Sequence, residues 1–91
     1  MSSAHLAFSS DGVRSLATLK EGDRAAVVGI DERDGERVER LMALGVTPGA
    51  RVTMLQTFPG IVFLCDQTEL AVERGVAAMI RVRPLDASST S

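Results

Sequence analysis

The stretch Leu41 to Val52, LMALGVTPGARV, limits the fold more than any other part of this chain. It predicts a helix with Val38, Leu41 and Met42 on one face that runs to Leu44, followed by Gly45 in the left-handed region, where a Cβ would clash. Val46 then folds back on Leu41 in a Schellman arrangement. Thr47-Pro48-Gly49-Ala50 reads as a type II turn, Pro48 fixing one φ and Gly49 supplying the positive one. A strand follows. Helix and strand so close together, on a chain of 91 residues, leave room for one domain with one modest core.

The flanking segments give short strands. Arg24–Ile30, RAAVVGI, has the length and β-branched content of a buried strand, after a short extended lead-in, Ser15–Leu19, and a turn at Lys20–Asp23. Asp34 can cap the helix over 36–44, worth about 1 kcal/mol. Arg51–Phe58 alternates with Val52 and Met54 inward, and Pro59-Gly60 turns the chain. Ile61–Cys65, IVFLC, is apolar throughout, which predicts either burial on both faces or one face open to a partner. Leu70 and Val72 mark another strand, Gly75–Met79 a single helical turn, and Ile80–Arg83 a last strand stopped by Pro84. About five short strands joined by tight turns around one helix predict a mainly β, antiparallel, partly closed barrel, because closure removes exposed edges. Residues 1–13 and 86–91 read as flexible tails and 14–85 as the domain.

Composition narrows the function. A 3% aromatic content without Trp or Tyr argues against base stacking, and a net charge of −2 against broad contact with phosphate backbones, so no nucleic-acid partner is expected. No apolar run approaches the roughly 18–20 residues that cross a bilayer, so no direct membrane insertion is expected. A single cysteine, Cys65, rules out an internal disulfide and suits a reducing compartment. The chain is therefore expected in the cytoplasm.

The pattern SLATL…GDRAAVVGI, RLMALGVTPGARV and ELAVERGVAAMIRV, spanning Ser15 to Arg83, resembles the ferrous iron transport protein A family, FeoA. The most specific piece runs from Arg40-Leu41 to Pro48-Gly49. The resemblance implies a small SH3-like β-barrel, a cytoplasmic location and a supporting role for a FeoB-like membrane ferrous iron transporter with a GTP-binding domain. A similar domain occurs at the C-terminus of iron-dependent repressors of the diphtheria toxin repressor type, after a DNA-binding domain that is not expected within 91 residues. One departure stands out: the hairpin Phe58-Pro59-Gly60-Ile61-Val62-Phe63-Leu64 is shorter and more apolar than in many relatives, so a partner-binding or self-association surface there is expected to differ.

Each candidate site has a plainer counterpart. Lys20 and Gly22 do not make a phosphate loop, since no helix follows them. No cofactor is called for. Cys65, Asp66 and Glu69 are the best metal candidates and are weak ones, because a lone cysteine is usually a small hydrophobe. Met42, Met54 and Met79 read as core residues, and His5 lies in the tail, away from any nucleophile it would serve as base. No enzyme activity is expected. The polar helix face with Glu36, Arg37, Glu39 and Arg40 is either solvated, with a Glu36/Arg40 pair worth about 0.3–0.5 kcal/mol, or a docking surface. Leu44 lies off the inward stripe; with Val46 it either forms an apolar knob for a partner's pocket or packs on the next strand. The partner-binding candidates are thus Leu44, Val46, Arg37 and Arg40.

The leading expectation is a non-enzymatic cytoplasmic adaptor of ferrous iron uptake. The alternatives are an SH3-like interaction module unrelated to transport and a direct Fe²⁺ carrier. Self-association is a further expectation, from the IVFLC run.

Overall fold

A computed structural model describes residues 12–31 and 35–85. The predicted cap Asp34, His5, the C-terminal tail and most of the N-terminal tail lie outside the described residues. The elements in chain order are β1 (Arg14–Ser15), a 3₁₀ turn (Leu16–Thr18), β2 (Arg24–Ile30), α1 (Gly35–Ala43), β3 (Arg51–Gln56), β4 (Ile61–Cys65), β5 (Thr68–Val72), α2 (Arg74–Ala77) and β6 (Ile80–Pro84). The strands form one antiparallel sheet in the order β1-β6-β2-β3-β4-β5. Its ends, β1 and β5, do not pair with each other, so the predicted barrel is left open.

Alternation along the strands builds the core. Val52 and Met54 on β3, Ile61, Phe63 and Cys65 on β4, Leu70 on β5, and Ile80 and Val82 on β6 are buried in one cluster with Leu16, Leu41 and Val46. The IVFLC run therefore buries one face, with Val62 and Leu64 half-buried on the other. No polar or charged side chain is buried among the described residues.

Three local expectations are corrected. The lead-in Ser15–Leu19 is not extended: it closes a 3₁₀ turn, with the Thr18 hydroxyl donating to the Ser15 carbonyl at 2.8 Å. That turn places residues three apart on one side, so Leu16 and Leu19 are both buried. β3 ends at Gln56 rather than Phe58, after a register shift between Met54 and Gln56. Met42 is not core: it is 45% exposed, because at 100° per residue it lies beyond the narrow contact made by Val38 and Leu41.

Candidate functional site

The helix end forms as its residues dictate. The Gly45 N–H donates to the Met42 carbonyl and the Val46 N–H to the Leu41 carbonyl, both at 3.0 Å, with Gly45 at φ +104°. These are the two hydrogen bonds of a Schellman motif. The turn after it is equally well defined: the Ala50 N–H donates to Thr47 O at 2.9 Å, and Gly49, at φ +96°, donates to Val27 O at 2.8 Å. Val27 in turn donates to Ala50 O at 2.8 Å. The junction is thereby stitched to β2, and the Cys65 thiol ties it to β4 by donating to the Gly45 carbonyl at 3.5 Å.

This anchoring fixes where Leu44 points. Arg37, Arg40, Leu41 and Leu44 follow the i, i+3, i+4, i+7 spacing of one helical face. They form one wall of a groove of about 300 Å³ whose other wall is Ala71 and Val72 at the end of β5, with Glu73 and Val76 of α2 and its approach. α2 is held by an amide pair, with Val76 and Ala77 N–H groups both donating to Glu73 O at 3.0 Å. An Arg74 guanidinium bond to Thr57 O at 2.6 Å joins it to the β3–β4 loop. The groove is thus bounded by braced elements.

Three of the four partner candidates, Leu44, Arg37 and Arg40, meet in this groove. The fourth does not belong to it: Val46 is fully buried, which corrects its placement in an exposed knob. The reason is the Schellman geometry itself, which turns the residue after the glycine back onto the helix. Ala71, Val72, Glu73 and Val76 escaped the sequence reading, since nothing local in β5 or α2 shows that α1 lies across from them.

A second, shallower depression shares Ala71, Val72 and Glu73 and continues along Gln56, Pro59, Gly60 and Val62. Beside it in the chain Phe58 is 79% exposed. The apolar hairpin therefore does contribute surface, adjoining the groove through β5.

The metal candidates do not converge. Cys65 is buried, whereas Asp66 and Glu69 are exposed. Burial, and then the neighbouring Asp66 carboxylate, push the Cys65 thiol pKa up, away from the thiolate that ligates metals. Asp66, at φ +54°, uses Oδ1 to accept the Arg51 N–H at 3.1 Å while its own N–H donates to Arg51 O at 2.7 Å. Among the described residues no three His, Cys, Asp or Glu side chains are close enough to hold a metal ion. No helix among them is long and apolar enough to cross a membrane.

Comparison with known proteins bears on the whole domain. Residues 14–84 match the FeoA domain. The FeoA protein of Chlorobium tepidum, solved by NMR, is 35% identical with a TM-score of 0.70, the match covering 78% of this chain and 70% of that one. FeoA of Stenotrophomonas maltophilia in complex with zinc, described as a prokaryotic SH3 domain protein, gives 23% identity and a TM-score of 0.69 over 84% of this chain and 93% of that one. A manganese-dependent transcriptional repressor shares the fold at 21% identity and a TM-score of 0.76, over 80% of this chain but 41% of the repressor. A search of curated proteins gave no significant match.

Proposed function

Since the chain belongs to the FeoA domain family, we propose that it is a non-enzymatic cytoplasmic regulator of ferrous iron uptake, docking through the α1/β5–α2 groove on a FeoB-like transporter with a GTP-binding domain. Family membership links the chain to ferrous iron transport, and its open barrel is of the SH3-like type. The partner and the docking mode are the further step.

One observation carries that step: Arg40 and the half-exposed Leu44 project from a helix end that hydrogen bonds hold rigid, into a groove with an apolar floor. A rigid apolar anchor beside a cation is how interface hot spots are built. The described residues contain no histidine, and their lone cysteine is buried with its thiol held protonated. Binding shifts the partner between its states to the extent that the chain prefers one of them.

Titration calorimetry with the transporter's soluble GTP-binding part, in GTP-analogue and GDP forms, tests this. Binding that Leu44→Asp abolishes is expected. No association in any nucleotide state would refute it.

A further inference from the structure

Three arginines surround one alanine on the outer face of the sheet. Ala26 on β2 pairs with Arg83 of β6 on one side and with Arg51 of β3 on the other. Arg24 is two residues away along β2, opposite Thr53 of β3, and its carbonyl accepts the Leu85 N–H at 2.8 Å. It is therefore the diagonal neighbour of both Arg83 and Arg51. Burial alternates along all three strands, with Ala25, Val27, Val52 and Val82 in the core, so the three arginines point outward, and all are exposed. Diagonal neighbours stand about 7–8 Å apart, and two strand spacings put Arg83 about 10 Å from Arg51. Side chains as long as arginine's span such gaps, and the small Ala26 side chain leaves the space between them open.

Among the described residues no hydrogen bond or ion pair is made by any of the three guanidinium groups. β2, β3 and β6 contain no aspartate or glutamate. Acidic residues border the triangle from the adjoining segments, and two of them are engaged with backbone. Asp23 Oδ2 accepts the Lys20 N–H at 2.8 Å, and Asp66 Oδ1 the Arg51 N–H at 3.1 Å. Asp31 stands past the other end of β2, with its N–H on Met79 O, toward Arg81, which for that reason is not counted in the triangle. Glu69 is two strands from Thr53, across Leu64. Three like charges so close repel one another, and an anion set among them turns repulsion into attraction.

We infer that Arg24, Arg51 and Arg83 form a binding site for a phosphate monoester group. Such a group presents three free oxygens to three guanidinium forks, each of which makes charge-assisted bonds to it. A carboxylate has two oxygens in one plane and satisfies one fork side-on, so the triangular arrangement selects phosphate over an acidic side chain. The triangle opens onto solvent and belongs to neither of the two depressions, so it grips the phosphate end of a ligand without enclosing the rest. The bearer is a soluble phosphate ester or a lipid headgroup. The site shares no residue with the proposed docking groove and stands or falls independently of it.

The test is an NMR titration of the full, isotope-labelled chain at low salt with inorganic phosphate, with acetate at matched ionic strength as control. Expected are saturable amide shifts centred on residues 24–26, 51–53 and 83, and none with acetate. Arg24→Gln, Arg51→Gln and Arg83→Gln, at exposed positions outside the core, should each weaken binding about fivefold, the factor that about 1 kcal/mol of an exposed charged contact gives. Ala26→Leu fills the space between the arginines while keeping every charge, and should abolish binding with the thermal midpoint retained. Glucose 6-phosphate, and vesicles of phosphatidic acid in phosphatidylcholine, carry the same group in solution and on a bilayer. Saturation by the sugar phosphate assigns a soluble ligand and a response to the vesicles alone a headgroup, each lost in Arg51→Gln combined with Arg83→Gln. No saturable shift at millimolar phosphate, equal shifts with acetate, shifts mapping elsewhere, or wild-type affinity in the three arginine variants or in folded Ala26→Leu would overturn the inference.

Discussion

Val46 and Leu44 are two residues apart, and the structure gives them opposite duties. Val46 is fully buried beneath the helix end, with its N–H bonded to Leu41 O at 3.0 Å, whereas Leu44 is 47% exposed. Val46→Ala removes two methyl groups from the core, a transfer loss of about 1.6 kcal/mol at about 0.8 per carbon. If the surroundings do not collapse, a void of about 50 Å³ adds about 1.2 kcal/mol at about 24 cal/mol per Å³. The expected cost is thus about 2–3 kcal/mol, a large part of the stability of so small a domain. A loss of that size lowers the thermal midpoint by about 10–20 °C for a domain of this length, and with a urea m-value near 1 kcal/mol/M it moves the midpoint by about 2–3 M. Differential scanning calorimetry and urea titration read both. Leu44→Ala in the same assays should stay within about 0.5 kcal/mol of wild type. The reasoning fails if Val46→Ala leaves the midpoint unchanged while Leu44→Ala drops it.

Other outcomes follow from single features. Gly45→Ala forces a Cβ into the left-handed region at φ +104° and should cost about 1–2 kcal/mol in urea titration, more than a substitution at an ordinary surface site. The Cys65 thiol, raised by burial and then by Asp66, stays protonated in the folded chain after the unfolded one has ionised. Its contribution to stability is complete below the unfolded pKa and is lost as pH rises through the folded pKa. Thermal midpoints should therefore fall more steeply above about pH 9 in wild type than in Cys65→Ala, and the absence of Tyr, with Lys20 the one lysine, keeps that range otherwise simple. Met42→Lys, at an exposed helix position, should change stability by less than about 0.5 kcal/mol, against the large loss a core methionine would show.

Those contrasts trace what was legible in the sequence. Residues that satisfy a local steric demand were readable: Gly45 and Gly49 take the positive φ angles expected of them, and β2 and β4 occupy the residues predicted. Alternation likewise located Val52, Met54, Ile80 and Val82 in the core. Readings that depended on what lies opposite an element fared worse. Helical periodicity counts Met42 with Val38 and Leu41, yet how wide a stripe is covered depends on the neighbour, and here it is narrow. The 3₁₀ turn at Leu16–Thr18 satisfies the burial of Leu16 and Leu19 together, which no local strand propensity encodes. Its sequence position leaves Val46 two places, folded back on Leu41 or exposed beside Leu44; only the first is compatible with the Schellman bonds.

The groove shows the same division. Of its α1 wall the sequence offered only separate candidates, Arg37 and Arg40 on the polar face and Leu44 off the inward stripe, while the wall at Ala71, Val72 and Val76 arises from strand order, a long-range property. The FeoA pattern was legible because its signature, from Arg40 to Gly49, contains the hydrogen-bonded junction at the end of α1. Fold requirements keep that junction in place, and the proposed docking surface is mounted on it.

The central claim is that this rigidly mounted groove, and not the buried junction below it, engages the transporter. The most direct measurement is calorimetric titration of the transporter's soluble GTP-binding part into wild type, Leu44→Asp and Arg40→Glu, each first shown to keep the wild-type thermal midpoint. The account predicts saturable binding for wild type, none for Leu44→Asp, and about tenfold weaker binding for Arg40→Glu. Undiminished binding by both folded variants would contradict it.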